Sequence, residues 1–411
     1  MSDLSREVDP GEVGLDAGRL SRVDRHFEKY VDDGRLTGWL LAISRHGRIA
    51  HVSKYGLANA ETKSPVEDDT IWRIYSMTKP ITSVAAMMLY ENGLLELTDP
   101  VSRYIPSFAG ARVWVGGSSQ RPATEPATEP VRIWHLLTHT SGLTYGFHYA
   151  HPVDAIYRAA GFDLGSAPAL DLGACCDVWA SMPLLFQPGS SWNYSVSTDV
   201  LGRVVEVVSG ESLDVYFRRH IFEPLGMADT AFHVKEADAS RLAELYVPNA
   251  DTGKAQAAGR WGDAALKPPS HFSGGGGLIS SAGDYLRFSE MLRGKGALGQ
   301  VRLLGPRTVE FMTRNHLPGN TDIASFGTPI NAEAPPVGQG FGLGFGVALD
   351  PVASHGLAGR GEYSWGGAAS TGFFVDPVED MTVVFMTQLL PSSTYPLRPQ
   401  LRQLVYQAIV D

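Results

Sequence analysis

The order of sequence patterns predicts an α+β fold, an antiparallel sheet flanked by helices beside a mostly helical domain. A helical repeat and then a hairpin pattern open the chain, helical patterns dominate from about 131 to 220, and strand-like runs follow before a last helix. The sheet therefore draws strands from both ends of the chain, with a helical insertion between them.

Each element follows from its residues. In "LDAGRLSRVDRHFEKYVDD", residues 15–33, Leu20, Val23, Phe27, Tyr30 and Val31 recur at helical spacing, which predicts an amphipathic helix. "WLLAISRHGRIAHVSKYG" reads as two strands about a His46-Gly47 turn, an antiparallel pair. "VWVGGSSQRPATEPATEPVRI" joins Gly and Ser to a short Pro-Ala-Thr-Glu repeat and is expected to be an exposed loop. Strand-like runs come in "SGGGGLISS", "FGLGFGVALD", "STGFFVDP" and "MTVVFMTQ", and "PLRPQLRQLVYQAIVD" returns to helical spacing. The expected division is a discontinuous sheet domain, 1–100 and 210–411, and a helical domain, 101–209.

Composition narrows the function. With 411 residues, 44% hydrophobic and 19% charged, the chain is of an ordinary globular kind and long enough for two lobes. A net charge of −10 argues against a nucleic-acid groove or an anionic membrane surface, both of which need clustered Lys and Arg. Cys175 and Cys176 are neighbours, so they cannot staple distant segments or build a CxxC-type zinc site. No 18-residue apolar span occurs, and "MSDLSREVDPGEVG" lacks the apolar core of a signal peptide, so the cytoplasm is the expected location. No cofactor is expected, and the oligomeric state is left open.

The chemistry centres on "WRIYSMTKPITSVAAMMLYENG", residues 72–93. Ser76 and Lys79 lie one turn apart at the front of a helix whose Ile81, Val84, Ala85, Met88 and Leu89 form an apolar stripe, with Pro80 in the first turn and Gly93 closing it. A serine hydroxyl is a poor nucleophile at neutral pH and needs a base; an amine can be that base where burial or a second cation lowers its pKa. The helix N-terminus also aims free N–H groups at any developing oxyanion. Taken alone, the spacing equally fits a serine that only caps a helix.

Other candidates carry less. His135, His139, His148 and His151 lie close in sequence but lack an HExxH spacing, so no metal is expected. The absence of G-x-S-x-G excludes a nucleophile elbow, and the glycine run 274–277 lacks the Lys-Ser/Thr of a phosphate loop. That run reads as a tight approach between strand and cleft, before a helix capped at Ser281 with Asp284 three residues on.

Four stretches together, "SMTK" at 76–79, "LLTHTSGLTYGF" at 136–147, "YSV" at 194–196 and "WGG" at 365–367, resemble the serine β-lactamase and penicillin-binding superfamily, most of all its class C-like branch of family VIII carboxylesterases. The resemblance implies a β-lactamase-like fold with the active site in the cleft between its two domains. It implies Ser76 as nucleophile, Lys79 as the partner that keeps the base deprotonated, and Tyr194 as general base. The backbone N–H groups of Ser76 and Ala368 would form the oxyanion hole. A phenol, with an ordinary pKa of about 10, can serve near neutral pH where an adjacent ammonium favours phenolate.

Two departures bear on the substrate. Val196 stands where β-lactamases have the asparagine of Tyr-x-Asn, and Trp365-Gly366-Gly367 stands where they have Lys-Thr-Gly. An amide contact and a cation for a carboxylate are lost, so the expected substrate is a small neutral ester rather than a charged one, with Trp365 walling the pocket and Gly366 and Gly367 letting the strand approach the substrate closely. A short-chain acyl group fits best. Hydrolysis through an acyl-serine is the expected reaction. Acyl transfer to an alcohol or amine would use the same residues, and a β-lactamase, a peptidase or a silent binding protein are the remaining readings.

Overall fold

The computed structural model describes residues 4–163, 168–328 and 337–411. Helix α1 (Ala17–Asp32) is capped by Asp16, which accepts from Arg19 N–H, and buries Leu20, Val23, Phe27 and Tyr30. Strands β1 (Gly38–Arg45) and β2 (Arg48–Asn59) form the expected hairpin, with His46 and Gly47 both at positive φ (54° and 71°), as a two-residue turn between twisted strands requires. Strand β3 (Ser64–Pro65) pairs with β2, and β4 (Ile71–Arg73) leads toward Ser76. Helix α2 (Thr78–Glu91) is buried from Thr78 to Met87, and Gly93 at φ 68° follows its end.

The segment expected to be a loop is a hairpin. Strand β5 (Arg112–Ser118) pairs with β6 (Arg121–Pro126), and the register shifts between Trp114 and Gly116. A two-stranded ribbon leaves one side of each strand unpaired, so it tolerates the prolines that argued for a loop. Gly116 and Gly117, both at positive φ, absorb the irregularity. Helices α3 (Ile133–Leu137), α4 (Pro152–Ala159), α5 (Leu172–Ser181) and α6 (Ser197–Ser209) follow, and α6 packs against α2.

Strand β7 (Ile279–Ser281) pairs with β4. Ser281 caps α7 (Ala282–Arg293) by accepting from Asp284 N–H at 3.3 Å, whereas the Asp284 carboxylate accepts from Asp229 N–H (2.7 Å) and Thr230 Oγ1 (2.9 Å). Strands β8 (Gln339–Phe341), β9 (Gly346–Ala348), β10 (Tyr363–Gly366), β11 (Gly372–Asp376) and β12 (Met381–Thr387) precede the last helix, α8 (Leu397–Tyr406).

The antiparallel eight-stranded sheet runs β8-β9-β10-β11-β12-β1-β2-β3. Trp39, Leu41 and Ile43 of β1 stand opposite Thr387, Phe385 and Val383 of β12, so the two ends of the chain meet inside the sheet. Those three β1 residues pack with α1 and α8. Leu40 and Ala42 belong instead to the larger core that holds Val84 and Met87 of α2 and Phe288 of α7. Covered on both faces, β1 is apolar in a run rather than by alternation. Among the described residues no helix is long and apolar enough to cross a membrane.

Burial at the start of α7 raises the Asp284 carboxyl to about 6 from its ordinary 3.8. The folded chain then binds more protons than the unfolded one between about pH 4 and about pH 6, so this group's contribution to stability is full below that window and is lost as pH rises through it. Thermal denaturation across this range should show Asp284→Asn flattening the decline; an unchanged slope would remove Asp284 as its source.

Candidate active site

After β4 the chain passes through Ile74 into a tight 3-10 turn, Tyr75–Met77, that joins α2. Tyr75 has φ 42°, a left-handed backbone that costs a non-glycine residue about 1–2 kcal/mol. The turn is tied down from outside: Met77 O accepts from Tyr285 Oη (2.9 Å), and Thr78 Oγ1 accepts from Leu278 N–H (3.1 Å). Ser76 thereby faces a cleft of about 750 Å³. Tight winding brings residues i and i+3 nearly into line, and Lys79 Nζ lies 3.3 Å from Ser76 Oγ.

Lys79 is only 1% exposed, and its ammonium is fully partnered. It donates to Gly275 O (2.6 Å), Tyr145 Oη (3.0 Å) and Ser76 Oγ (3.3 Å). Three N–H groups meet three acceptors, which is what a buried ammonium needs. Lys79 Nζ also sits 4.4 Å from the ring centroid of Tyr194, over its face, while Tyr194 Oη accepts from Trp365 Nε1 at 3.4 Å. The hydroxyl at the ammonium is thus that of Tyr145, which the sequence reading did not single out although it lies within "LLTHTSGLTYGF". Burial, then the Asp199 carboxylate and Tyr194, hold the Tyr145 phenol well above its ordinary value, so it stays neutral.

The glycine run forms a turn ahead of β7, and this turn supplies the Gly275 carbonyl. Thr82 Oγ1 of α2 donates to Gly274 O (2.7 Å), and Asp199 of α6 accepts from Gly275 N–H (3.0 Å) and Ser273 Oγ (2.5 Å). A Cβ at Gly275 would collide with the Asp199 carboxylate and reach 3.0 Å from Tyr145 Oη. Asp199 was also missed, since an acid in the first turn of a helix is ordinarily a dipole partner.

Strand β10 brings up the rest. The Trp365 ring packs between Tyr194 (5.4 Å) and Phe341 (5.3 Å, 90°), and it lines the cleft with Ser76, Gly366, Gly367 and Ala368. Gly366 and Gly367 do permit close approach, but of other protein groups: a Cβ on Gly366 would enter the Arg398 guanidinium, and one on Gly367 would strike Ile74 O and Thr371 Oγ1. Ala368 follows in a turn closed by Gly367 N–H to Thr371 O (2.9 Å) and Ser370 N–H to Gly367 O (3.1 Å). Val196 is packed in the main core.

The four histidines serve separate partners. His135 Nδ1 accepts from Arg132 N–H (3.2 Å), and His151 Nδ1 accepts from Val153 N–H (3.2 Å). His148 Nε2 donates to Tyr194 O (2.6 Å), and His139 Nδ1 meets Ser195 Oγ (3.2 Å) behind Tyr194. Burial first, then Lys79 and His148, push His139 well below its ordinary value and keep it neutral.

Helices against both faces of an antiparallel sheet, with a serine heading a buried helix and a lysine one turn on, are the arrangement of β-lactamase-like serine enzymes. The chain belongs to the Beta-lactamase family, whose profile matches residues 23–407. It is 32% identical to esterase EstB of Burkholderia gladioli, over 97% of this chain and 98% of that one. With the lovastatin esterase of Penicillium rubens it shares 29% identity over 86% of this chain and 89% of that one. Among solved structures, EstCE1, a hydrolase with promiscuous acyltransferase activity, aligns at a TM-score of 0.78 and 30% identity, covering 95% of this chain and 98% of that one. The family and the α+β fold implied by the four motifs are those found.

Gly275→Ala should push the Gly275 carbonyl away from Lys79 without touching substrate. A misplacement of this kind costs about 100-fold in turnover. Ester kinetics with circular dichroism check it: a folded variant with wild-type kcat would remove the Gly275 contact from the machinery.

Proposed function

We propose that the protein is a carboxylesterase that cleaves neutral, short-acyl esters through a covalent acyl-serine. The observation that carries this reading is the buried, fully partnered Lys79 ammonium 3.3 Å from Ser76 Oγ, in a cleft where Trp365 occupies the strand position of the β-lactamase lysine. Ser76 Oγ attacks the ester carbonyl carbon as its proton passes to Tyr194. The backbone N–H groups of Ser76 and Ala368 receive the oxyanion, and Gly366 and Gly367 shape the wall beside it. The tetrahedral species collapses, the C–O bond to the alcohol breaks, and the proton returns to the leaving oxygen. Water then repeats the sequence on the acyl-serine and releases the acid.

Lys79 provides the fixed positive charge, Tyr145 holds that charge as a neutral partner, and Trp365 orients Tyr194 through its N–H. The helical segment 101–209 and the sheet segments 1–100 and 210–411 act as the two walls of the cleft: Tyr145 and Tyr194 come from the first, Ser76, Lys79 and Trp365 from the second. The partner is a small-molecule ester. The cytoplasm is the location proposed for the protein. Acyl transfer to an alcohol or amine is the second reading, favoured by the activity ascribed to EstCE1.

On exposure to p-nitrophenyl acetate, the wild-type chain should gain one acetyl group by intact-protein mass spectrometry. Ser76→Ala should gain none and lose about three or more orders of magnitude in turnover. Acetylation of the variant at the wild-type rate would refute Ser76 as nucleophile. With a millimolar alcohol added, acetic acid should remain the main product; a dominant new ester would instead make the protein an acyltransferase.

A further inference from the structure

The peptide unit that joins Gly367 to Ala368 is gripped at one end only. Ala368 lines the cleft with Ser76, and among the described residues no protein group accepts from its N–H. The carbonyl end of the same unit, Gly367 O, accepts from Ser370 N–H (3.1 Å) and from Arg398 Nη2 (2.5 Å). A trans peptide unit is planar and its C=O and N–H point in opposite directions, so a group that fixes the oxygen also aims the hydrogen.

Arg398 holds the whole turn rather than one atom. Its Nε donates to Thr371 O at 3.1 Å and its Nη2 to the same oxygen at 2.8 Å, while Thr371 O also accepts from Gly367 N–H at 2.9 Å. The guanidinium sits against Gly366 and Gly372, which pair across the β10–β11 hairpin: a Cβ on Gly366 would come within 2.2 Å of Arg398 Cζ, and one on Gly372 within 3.3 Å of Nε. From the other side of the turn Ser370, left-handed at φ 68°, donates through Oγ to Leu389 O at 2.7 Å. The arginine is the second residue of α8, where the helix dipole is positive and a cation is disfavoured. Its bonds to two backbone carbonyls give a reason for a cation at that position, and the planar fork of an arginine is what reaches both.

We propose that Arg398 is a positioning residue for the oxyanion hole: it aims the Ala368 N–H at the cleft and, by setting a cation at the carbonyl end of the unit, polarises that N–H into a stronger donor. The inference rests on the esterase reading above, in which Ala368 N–H receives the oxyanion. Hydrogen bonds from an ionised donor are about twice as strong as neutral ones, and linked hydrogen bonds polarise one another. As Ser76 Oγ bonds to the ester carbon and the carbonyl oxygen takes up charge, the donor is then already aligned and needs no reorganisation. Arg398 gives up no proton and forms no covalent bond.

The test compares p-nitrophenyl acetate with O-(p-nitrophenyl) thioacetate, in which sulfur, a poor acceptor from N–H, replaces the carbonyl oxygen. The intrinsic reactivities of the two esters cancel when variants are compared with wild type. Arg398→Met should lower the oxo-to-thiono ratio of kcat/KM about tenfold, mostly through the oxo ester, and Arg398→Lys, which keeps the charge without the fork, should lower it less. Equal losses on both esters, as a merely structural role or a lost substrate contact would give, or an unchanged ratio, would overturn the proposal and leave the esterase reading standing. Should Arg398→Met fail to fold by circular dichroism, Arg398→Lys carries the same comparison. If the wild type cleaves neither ester, the esterase reading fails, and amide hydrogen exchange decides the role of Arg398 alone. Exchange across 367–371 about tenfold faster in the variant, with β12 unchanged, supports the clamp, and equal exchange rejects it.

Discussion

Burying the Lys79 ammonium is the constraint on which the rest of the site depends. A cation removed from water loses several kcal/mol unless its protons find acceptors. Its acceptors come from three segments: the turn at Ser76, the stretch that carries Tyr145, and the glycine run at Gly275. None can drift without leaving the charge short of a partner. Asp199 extends the demand one step outward, because it fixes the amide of the residue whose carbonyl Lys79 needs. Ser76, its cationic neighbour and a neutral phenol are therefore set by one electrostatic requirement rather than by three separate placements.

The sheet supplies the other half of the site by joining the two ends of the chain. Pairing of β1 with β12 places the hairpin β10–β11 at a fixed distance from β4, and Gly367 lies so close to Ile74 O that no side chain fits between them. Ser76 and Ala368 are almost three hundred residues apart in the sequence, and this contact is what brings their two segments to one cleft. The proposed oxyanion hole, with its donors on separate segments, depends on such a backbone clamp, since an error of an ångström weakens such contacts sharply.

Helix α1, the first hairpin, the strands of the last third and α8 were legible because their apolar spacing is local. Ser76 and Lys79 were legible for the same reason, as residues on one turn of one helix. The β5–β6 hairpin was not, because its prolines and glycines look like loop chemistry unless the partner strand is known. Tyr145 and Asp199 escaped because their importance comes from Lys79 and Gly275, which are distant in sequence. Gly366 and Gly367 were recognised as points of close approach, but what approaches them, Arg398 and Ile74, is a fact of tertiary structure.

In the proposed mechanism Trp365 joins substrate choice to the placement of Tyr194. Replacing a lysine at this strand position by tryptophan removes a cation that would attract a carboxylate, and it also puts an N–H donor at the Tyr194 oxygen and a ring against its face. The loss of the asparagine of Tyr-x-Asn belongs to the same change. Val196 sits in the main core, and the cleft beside Tyr194 is walled by the indole instead of by an amide. The two departures from the β-lactamase pattern thus act together: an apolar wall suits an uncharged ester, and the same wall steadies the phenol that faces it. On the proposed roles, selectivity and catalysis at this position share one side chain, so a change there alters both.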